Sequence, residues 1–239
     1  MNPKRRTRSA GPPFVLVNMA MTADGKIATA NRAVASFGSK CDHDHLLELR
    51  ATADAVMAGA RTVDSVGINM GPGGAKYQRK RLKRGLMEFN LRIIVTGSGS
   101  LNPDAHVFKH RFSPIIVLTT ERASVTRRRL RELADEVKIC GRREINFRSA
   151  LQWLRTKWGV DRLLCEGGGE LNDALFHAGL VDEIHLTICP KLFGGGSAPT
   201  IADGQGAATL ALAQRFDLKS AQRIGDEMFL VLRRRLNSK

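Results

Sequence analysis

The chain has 239 residues, 38 Lys and Arg against 23 Asp and Glu, a formal net charge of +15 and 5% aromatic residues. That length suits one domain with a real core, and no run approaches the roughly 18 apolar residues of a membrane-spanning helix. Without aromatic side chains interleaved among the cations there is no base-stacking surface, so the charge suits an anionic small molecule better than nucleic acid.

Residues 1–13 read as a disordered basic arm, with Lys4, Arg5, Arg6 and Arg8, closed by Gly11-Pro12-Pro13. Residues 14–233 read as a single domain and 234–239 as a basic tail. Phe14 to Ala20 is apolar on both faces, which predicts a central parallel strand. It runs into Met21–Ala28, where Asp24-Gly25 forms a turn closed by Lys26. Taken alone this is a plain β-turn, but after a central strand it sets a mobile cation at the sheet's carboxyl edge. Asp42 to Ala51 predicts a helix with Asp42 as its cap and Leu46, Leu47 and Leu49 as its apolar contacts. His43 and His45 are two residues apart and do not face one way, so a solvated first turn is expected and no metal.

Ala53 to Gly59 predicts the next strand and delivers Gly59-Ala60-Arg61-Thr62 to a helix start. From Asp64 to Glu88 periodicity is lost, and this stretch holds the cations Lys76, Arg79, Lys80, Arg81, Lys83 and Arg84. Loops of that length are usually functional or mobile. Arg92–Thr96 leads into Gly97-Ser98-Gly99-Ser100. A strand over Pro114–Thr120, a helix over Val125–Ala134, a strand over Glu136–Gly141, a helix over Phe147–Lys157 and a strand over Val160–Cys165 follow. This βαβ rhythm predicts a largely parallel sheet covered by helices.

The stretch from Leu163 to Asn172 joins a buried strand, the turn Gly167-Gly168-Gly169 and a helix start. Free N–H groups at such a start favour an anion, although three glycines also make a tight strand-to-helix connection. Glu166 sits at the carboxyl end of the strand, where open α/β sheets keep their chemistry. Asp182–Pro190 predicts a further strand, followed by the glycine-rich turn Lys191–Gly196. Phe216–Ile224 and Glu227–Leu232 form a hairpin through Gly225-Asp226, so the sheet finishes antiparallel. His177 and His185 read as packed or surface residues. The four cysteines, Cys41, Cys140, Cys165 and Cys189, form no CxxC pair, and three lie in apolar strand-like runs. That is the usage of a reduced, cytoplasmic protein, and the basic N-terminus lacks a secretory signal's apolar stretch.

Met21–Ala28, Gly59–Val63, Glu166–Leu171, Gly179–Glu183 and Pro190–Gly195 together resemble, in order and spacing, the pyrimidine reductases of riboflavin biosynthesis. The resemblance runs from about Phe14 to Leu232. It implies a three-layer α/β/α dihydrofolate-reductase-like domain, NADPH as cofactor with NADH open, and a homodimer. The implied reaction is reduction of the ribosylamino side chain of a pyrimidine 5′-phosphate to ribitylamino, by hydride transfer to C1′. Bifunctional relatives carry a zinc deaminase domain; its H-x-E and P-C-x-x-C motifs are absent here, so a stand-alone reductase is expected.

The resemblance puts Lys26 and Glu166 beside the reacting sugar as catalytic groups. It places Ala20 and Ile27 at the nicotinamide, Gly59, Thr62, Gly167, Gly168, Gly169, Leu171 and Asn172 around the dinucleotide, and Gly97 and Ser98 at the adenosine. Asp24, Ser39, Asp64 and Arg79 are the implied substrate contacts. The sequence departs from the family where a D-D-P or D-N-P step and an L-T-x-R motif are common: Val66 stands at the aspartate's place and Gly73 near the arginine's. Either Asp64 and the basic cluster replace those contacts or the substrate differs, a pterin or other heterocycle being the alternative. Leu101 stands where the family has an arginine after the adenosine-side strand, which weakens NADP relative to NAD.

Overall fold

The computed structural model describes residues 11–32, 37–65 and 67–235. Val66 lies outside them, so its substitution for the family's aspartate gets no structural account. In chain order the elements are β1 (Phe14–Thr22), α1 (Lys40–Arg50), β2 (Ala55–Gly59), α2 (Ala60–Val63), α3 (Ala75–Lys83), β3 (Leu91–Thr96), α4 (His106–Lys109), β4 (Ile115–Thr119), α5 (Arg127–Leu133), β5 (Glu136–Ile139), α6 (Phe147–Trp158), β6 (Arg162–Cys165), α7 (Gly169–His177), β7 (Glu183–Cys189), β8 (Phe216–Ile224) and β9 (Glu227–Arg234).

Among the described residues the strands form one nine-stranded sheet in the order β5-β4-β3-β2-β6-β1-β7-β9-β8. Every pairing from β5 to β7 is parallel, and β7, β9 and β8 pair antiparallel. Alternation along each strand sends neighbouring side chains to opposite faces. Val15, Val17, Met57 and Ile93 therefore join one core with Phe147, Leu151 and Leu175 of α6 and α7. Leu16, Val56, Ala58 and Ile94 join a second core on the other face with Leu49 of α1 and Leu130 of α5. Two cores on one sheet are the expected three-layer α/β/α arrangement. The chain steps outward from β2 to β5 and then returns through α6 to insert β6 between β2 and β1. The carboxyl ends of these three strands consequently meet at a topological switch, the place where open α/β sheets form a crevice.

Four local expectations are corrected. The cap of α1 is Ser39 and not Asp42, because the Ser39 hydroxyl accepts from the amides of Cys41 and Asp42 at 3.1 and 3.3 Å. The stretch from Asp64 to Glu88 is not irregular throughout, since α3 carries most of its cations. Arg81 there is fully buried and donates to the carbonyls of Arg50, Ala53 and Met87 at 2.6, 2.6 and 2.9 Å. Burial lowers its pKa to about 10, and Nε and Nη1 together satisfy three backbone carbonyls at once. The helix expected over 125–134 is present as the shorter α5, and a 3-10 turn (Glu121–Ser124), whose Arg122 amide donates to Thr120 Oγ1, precedes it. Finally, Arg234 belongs to β9 and not to a tail. Asp182 accepts from Arg234 at 2.7 Å and Glu183 accepts from Arg233 at 2.5 Å.

Candidate functional site

The opening of the site is a strand that runs one step past its own end. Glu166 donates its amide to Met57 O and Gly59 donates its amide to Gly167 O, both at 2.9 Å, so the β2 and β6 exits stay zipped together. Gly167 has φ +79°, and a Cβ there would lie 2.6 Å from Met19 Sδ. A side chain is thus excluded twice, by backbone conformation and by packing. Gly168 caps α7 with no side-chain hydrogen bond, as Gly59 caps α2. Thr62 Oγ1 accepts from the Gly168 amide at 3.3 Å and joins the two turns. The first amides of α7 lack intrahelical acceptors, a setting that favours a negative group.

These turns border a cavity of about 1480 Å³. On the β1 side Met19 and Ile27 line it; from β2 and α2 come Gly59, Thr62 and Asp64; from the β3 exit Gly97 and Ser98; and from the β6 exit Glu166, Gly168, Gly169 and Leu171. Most residues singled out for the cofactor are therefore assembled in one place.

Ala20, Gly167 and Asn172 are not among the lining residues. Met19 takes the position expected of Ala20, since adjacent strand residues face opposite ways. Asn172 is fully buried. It donates to Ile201 O at 2.9 Å and accepts from the Cys165 thiol at 3.5 Å, so it anchors the 200–203 segment over α7. That thiol is pushed up to about 12 by burial and is no nucleophile.

The expected substrate contacts scatter. Asp64 lines the cavity and accepts from the Asn102 amide at 3.2 Å. Asp24, Ser39 and Arg79 are exposed and outside the lining. Asp24 accepts from Thr22 Oγ1 at 2.5 Å and from the amides of Phe193 and Gly194 at 3.2 and 2.7 Å. The Thr22 hydroxyl above all, helped by the Gly194 and Phe193 amides, holds its carboxyl below the usual range against an opposing desolvation effect that is larger than either amide's. Its work is to pin the second glycine turn to the end of β1. Ser39 donates to Glu227 Oε2 at 2.6 Å while capping α1.

The functional feature that sequence reasoning missed is Arg50. This last residue of α1 is buried and donates through Nε and Nη2 to the two oxygens of Glu166 at 2.6 and 2.7 Å, and through Nη1 to Gly71 O at 2.6 Å. Both side chains are about a tenth exposed, 9% for Arg50 and 11% for Glu166. The helix signal located Arg50, but nothing local announced its partner. Lys26 does not line the cavity. Its Nζ donates to Ala198 O at 3.1 Å, and Lys26 bridges to Thr200.

A mainly parallel α/β sheet with a large cleft at the carboxyl ends of its central strands, glycine-capped helices on one wall and a clamped carboxylate on it, defines the class of open α/β proteins that bind ligands at a topological switch point. The chain belongs to the RibD C-terminal domain family, which matches residues 13–230. It is 32% identical over 219 residues to the 2,5-diamino-6-ribosylamino-4(3H)-pyrimidinone 5′-phosphate reductase of Methanothermobacter thermautotrophicus, covering 91% of this chain and 96% of that protein. It is 30% identical over 224 residues to the riboflavin biosynthesis protein RibD of Actinobacillus pleuropneumoniae, covering 91% of this chain but 56% of that one. Among solved structures, a pyrimidine reductase-like protein from Corynebacterium diphtheriae superposes with a TM-score of 0.77 at 19% identity, covering 94% and 93% of the two chains. Acinetobacter baumannii RibD superposes with a TM-score of 0.74 at 21% identity, and this chain spans 59% of its length. The likeness to these two structures speaks for the fold.

Proposed function

We propose that the chain is a nicotinamide-dependent reductase of a phosphorylated ribosylaminopyrimidine in riboflavin biosynthesis. The observation that carries this reading is the Arg50–Glu166 pair, set on the wall of a cleft that the Gly59 and Gly168 turns also line. The cavity fits a dinucleotide by volume and by the unpartnered amides at the start of α7. Gly59, Thr62, Gly168, Gly169 and Leu171 would hold it, with Met19 and Ile27 at one end and Gly97 and Ser98 at the other. When bound, the reduced nicotinamide supplies the hydride.

The protein supplies position and a proton. Glu166 has both oxygens engaged by Arg50, yet each carboxylate oxygen keeps a further acceptor site. It is therefore suited to accept hydrogen bonds from the sugar hydroxyls and to favour positive charge developing at C1′. Lys26 stands behind the lining residues Ile27 and Pro199 and spends one of its three N–H donors on Ala198 O, which leaves two donors for a ring-opened sugar oxygen brought to that rim of the cleft. In this division of labour Lys26 is the proton source and Glu166 the electrostatic anchor.

The exposed apolar residues Leu210, Leu212 and Leu218, 86%, 64% and 59% exposed, support association of two copies around the hairpin end. No described helix is long and apolar enough to cross a membrane. The decisive experiment mixes the protein, the ribosylaminopyrimidine 5′-phosphate and NADPH and follows loss of the reduced-nicotinamide absorbance. Formation of the ribitylamino product is the expected result. Turnover of a pterin in its place, with none of the pyrimidine, would overturn the substrate assignment.

A further inference from the structure

Behind the cleft wall the Arg50–Glu166 clamp is itself held, by a turn that is unfavourable in two places. Arg50 Nη1 donates to Gly71 O at 2.6 Å. Met70, one residue earlier, is fully buried and has φ +59°, in the left-handed region that a residue with a Cβ enters only against steric resistance. Asn90 is also fully buried. Its Nδ2 donates to Met70 O at 2.8 Å and to Leu91 O at 3.1 Å, while its Oδ1 is buried with no hydrogen-bond partner among the described residues. A left-handed methionine and a half-satisfied buried amide each oppose folding, and such features persist where the surrounding structure over-determines them, often beside functional sites.

Both features converge on the direction of one carbonyl. With Met70 O held by Asn90, Gly71 O turns toward the end of α1. The Gly71 amide donates to Asn69 Oδ1 at 2.8 Å, and Pro72 disfavours a helical conformation at Gly71. A Cβ at position 71 would lie 2.8 Å from Phe112 Cζ, and the Arg92 guanidinium lies 4.1 Å from the centre of that ring. Arg81 Nη1 meanwhile donates to Arg50 O at 2.6 Å. Arg50 is thus gripped at its backbone by Arg81 and at its tip by Gly71 O. Because the guanidinium is planar and meets Glu166 through two parallel hydrogen bonds, fixing its plane fixes the carboxylate's. Neither Asn90 nor the 69–74 turn lines the cleft, whereas Glu166 does.

We propose that Asn90 is a positioning residue: through the left-handed turn at Met70 it aims Gly71 O at Arg50 and so sets the plane in which Glu166 presents its carboxylate to the substrate. The inference rests on the reading of the cleft as a reductase site. It also gives a role to the segment in which the family's L-T-x-R pattern is missing, since here those residues brace the clamp from behind.

Crystal structures and single-turnover rates with NADPH and the ribosylaminopyrimidine 5′-phosphate test it on the full chain, Asn90→Leu, Arg50→Lys and the double variant. Asn90→Leu keeps the volume and removes the donor. Gly71 O is expected to leave hydrogen-bond range of Arg50 in its crystal structure, and its rate to fall about ten-fold with NADPH affinity within about two-fold of wild type. In the Arg50→Lys background, where no fork remains to be aimed, Asn90→Leu is expected to lower the rate by less than about two-fold further. Equal falls in the two backgrounds, a wild-type rate in Asn90→Leu, or an unchanged Arg50–Glu166 geometry in its crystal structure would overturn the positioning role. Asn90→Ala, which removes the donor without adding bulk, takes its place in the same cycle if Asn90→Leu does not fold. Wild-type protein that does not turn over the pyrimidine would overturn the reductase reading, and the crystal structures would then decide the brace by themselves.

Discussion

Arg50 and Glu166 meet side-on through two hydrogen bonds of 2.6 and 2.7 Å, across 116 positions of sequence. A fork-to-fork pair fixes direction as well as distance, and its burial makes each partner depend on the other. Removing one leaves a charge in a poorly solvated place. Arg50→Met is expected to cost about 3–5 kcal/mol of folding stability, as for other broken buried pairs. Arg50→Lys keeps the charge without the fork, so it should retain most of the stability and still lose turnover. Urea denaturation beside steady-state rates checks both. Wild-type turnover in Arg50→Lys would remove the clamp from the mechanism.

Glu166→Gln and Lys26→Ala are each expected to lower kcat roughly 10²–10⁴-fold with nucleotide affinity retained. Single-turnover rates and nucleotide titrations separate the two effects. Unchanged rates in both variants would sink the roles given to them.

His45 Nε2 and His185 Nδ1 lie 3.1 Å apart, and His185 Nε2 is 2.9 Å from Glu183. Burial first, and then the neighbouring His185, lower the His45 pKa from its ordinary 6.5. A depressed folded pKa means the unfolded chain takes up the proton first. The contribution is therefore present above the unfolded pKa and is lost as pH falls through the folded one. Melting temperatures between about pH 7.5 and 5.5 should fall with acidification, and His45→Gln should flatten that slope. An identical slope in the variant would show that His45 is not the group responsible.

Cys41 is exposed, and the other three cysteines are buried. Burial pushes Cys140 up to about 11 and Cys165 and Cys189 up to about 12. One thiol is expected to react with a disulfide reagent in the native protein and all four after denaturation. Rapid labelling of Cys165 in the native state would contradict the packing of β6.

The two arginines of α3 should behave oppositely. Arg81→Met strands the carbonyls of Arg50, Ala53 and Met87, at a cost of about 3 kcal/mol. Arg79→Ala is exposed and outside the cleft lining, so it should change stability by less than about 0.5 kcal/mol and leave KM for the phosphorylated substrate unaltered. A large rise in KM would return Arg79 to the substrate contacts.

Local periodicity and turn chemistry were enough to read the alternating strands and helices, the antiparallel finish through Gly225-Asp226 and the Glu166–Gly169 turn from the sequence. Each of these is a property of residues close together in the chain. The triple glycine was legible as a strand-to-helix connection, but which glycine serves packing and which lines the cleft was not. Gly167 is dictated by Met19, a residue of a different strand. Likewise the α3 cations looked alike in sequence, and burial alone separated Arg81 from Arg79.

What the tertiary structure decided follows from one topological fact, the insertion of β6 between β1 and β2. That step brings the end of α1 beneath the exit of β6, so a helix-terminal arginine becomes the partner of a strand-terminal glutamate. It also turns Met19 toward the cleft and Ala20 away. Sequence by itself determined where the catalytic carboxylate candidate would stand. The long-range strand order, which no local pattern encodes, decided what holds it there.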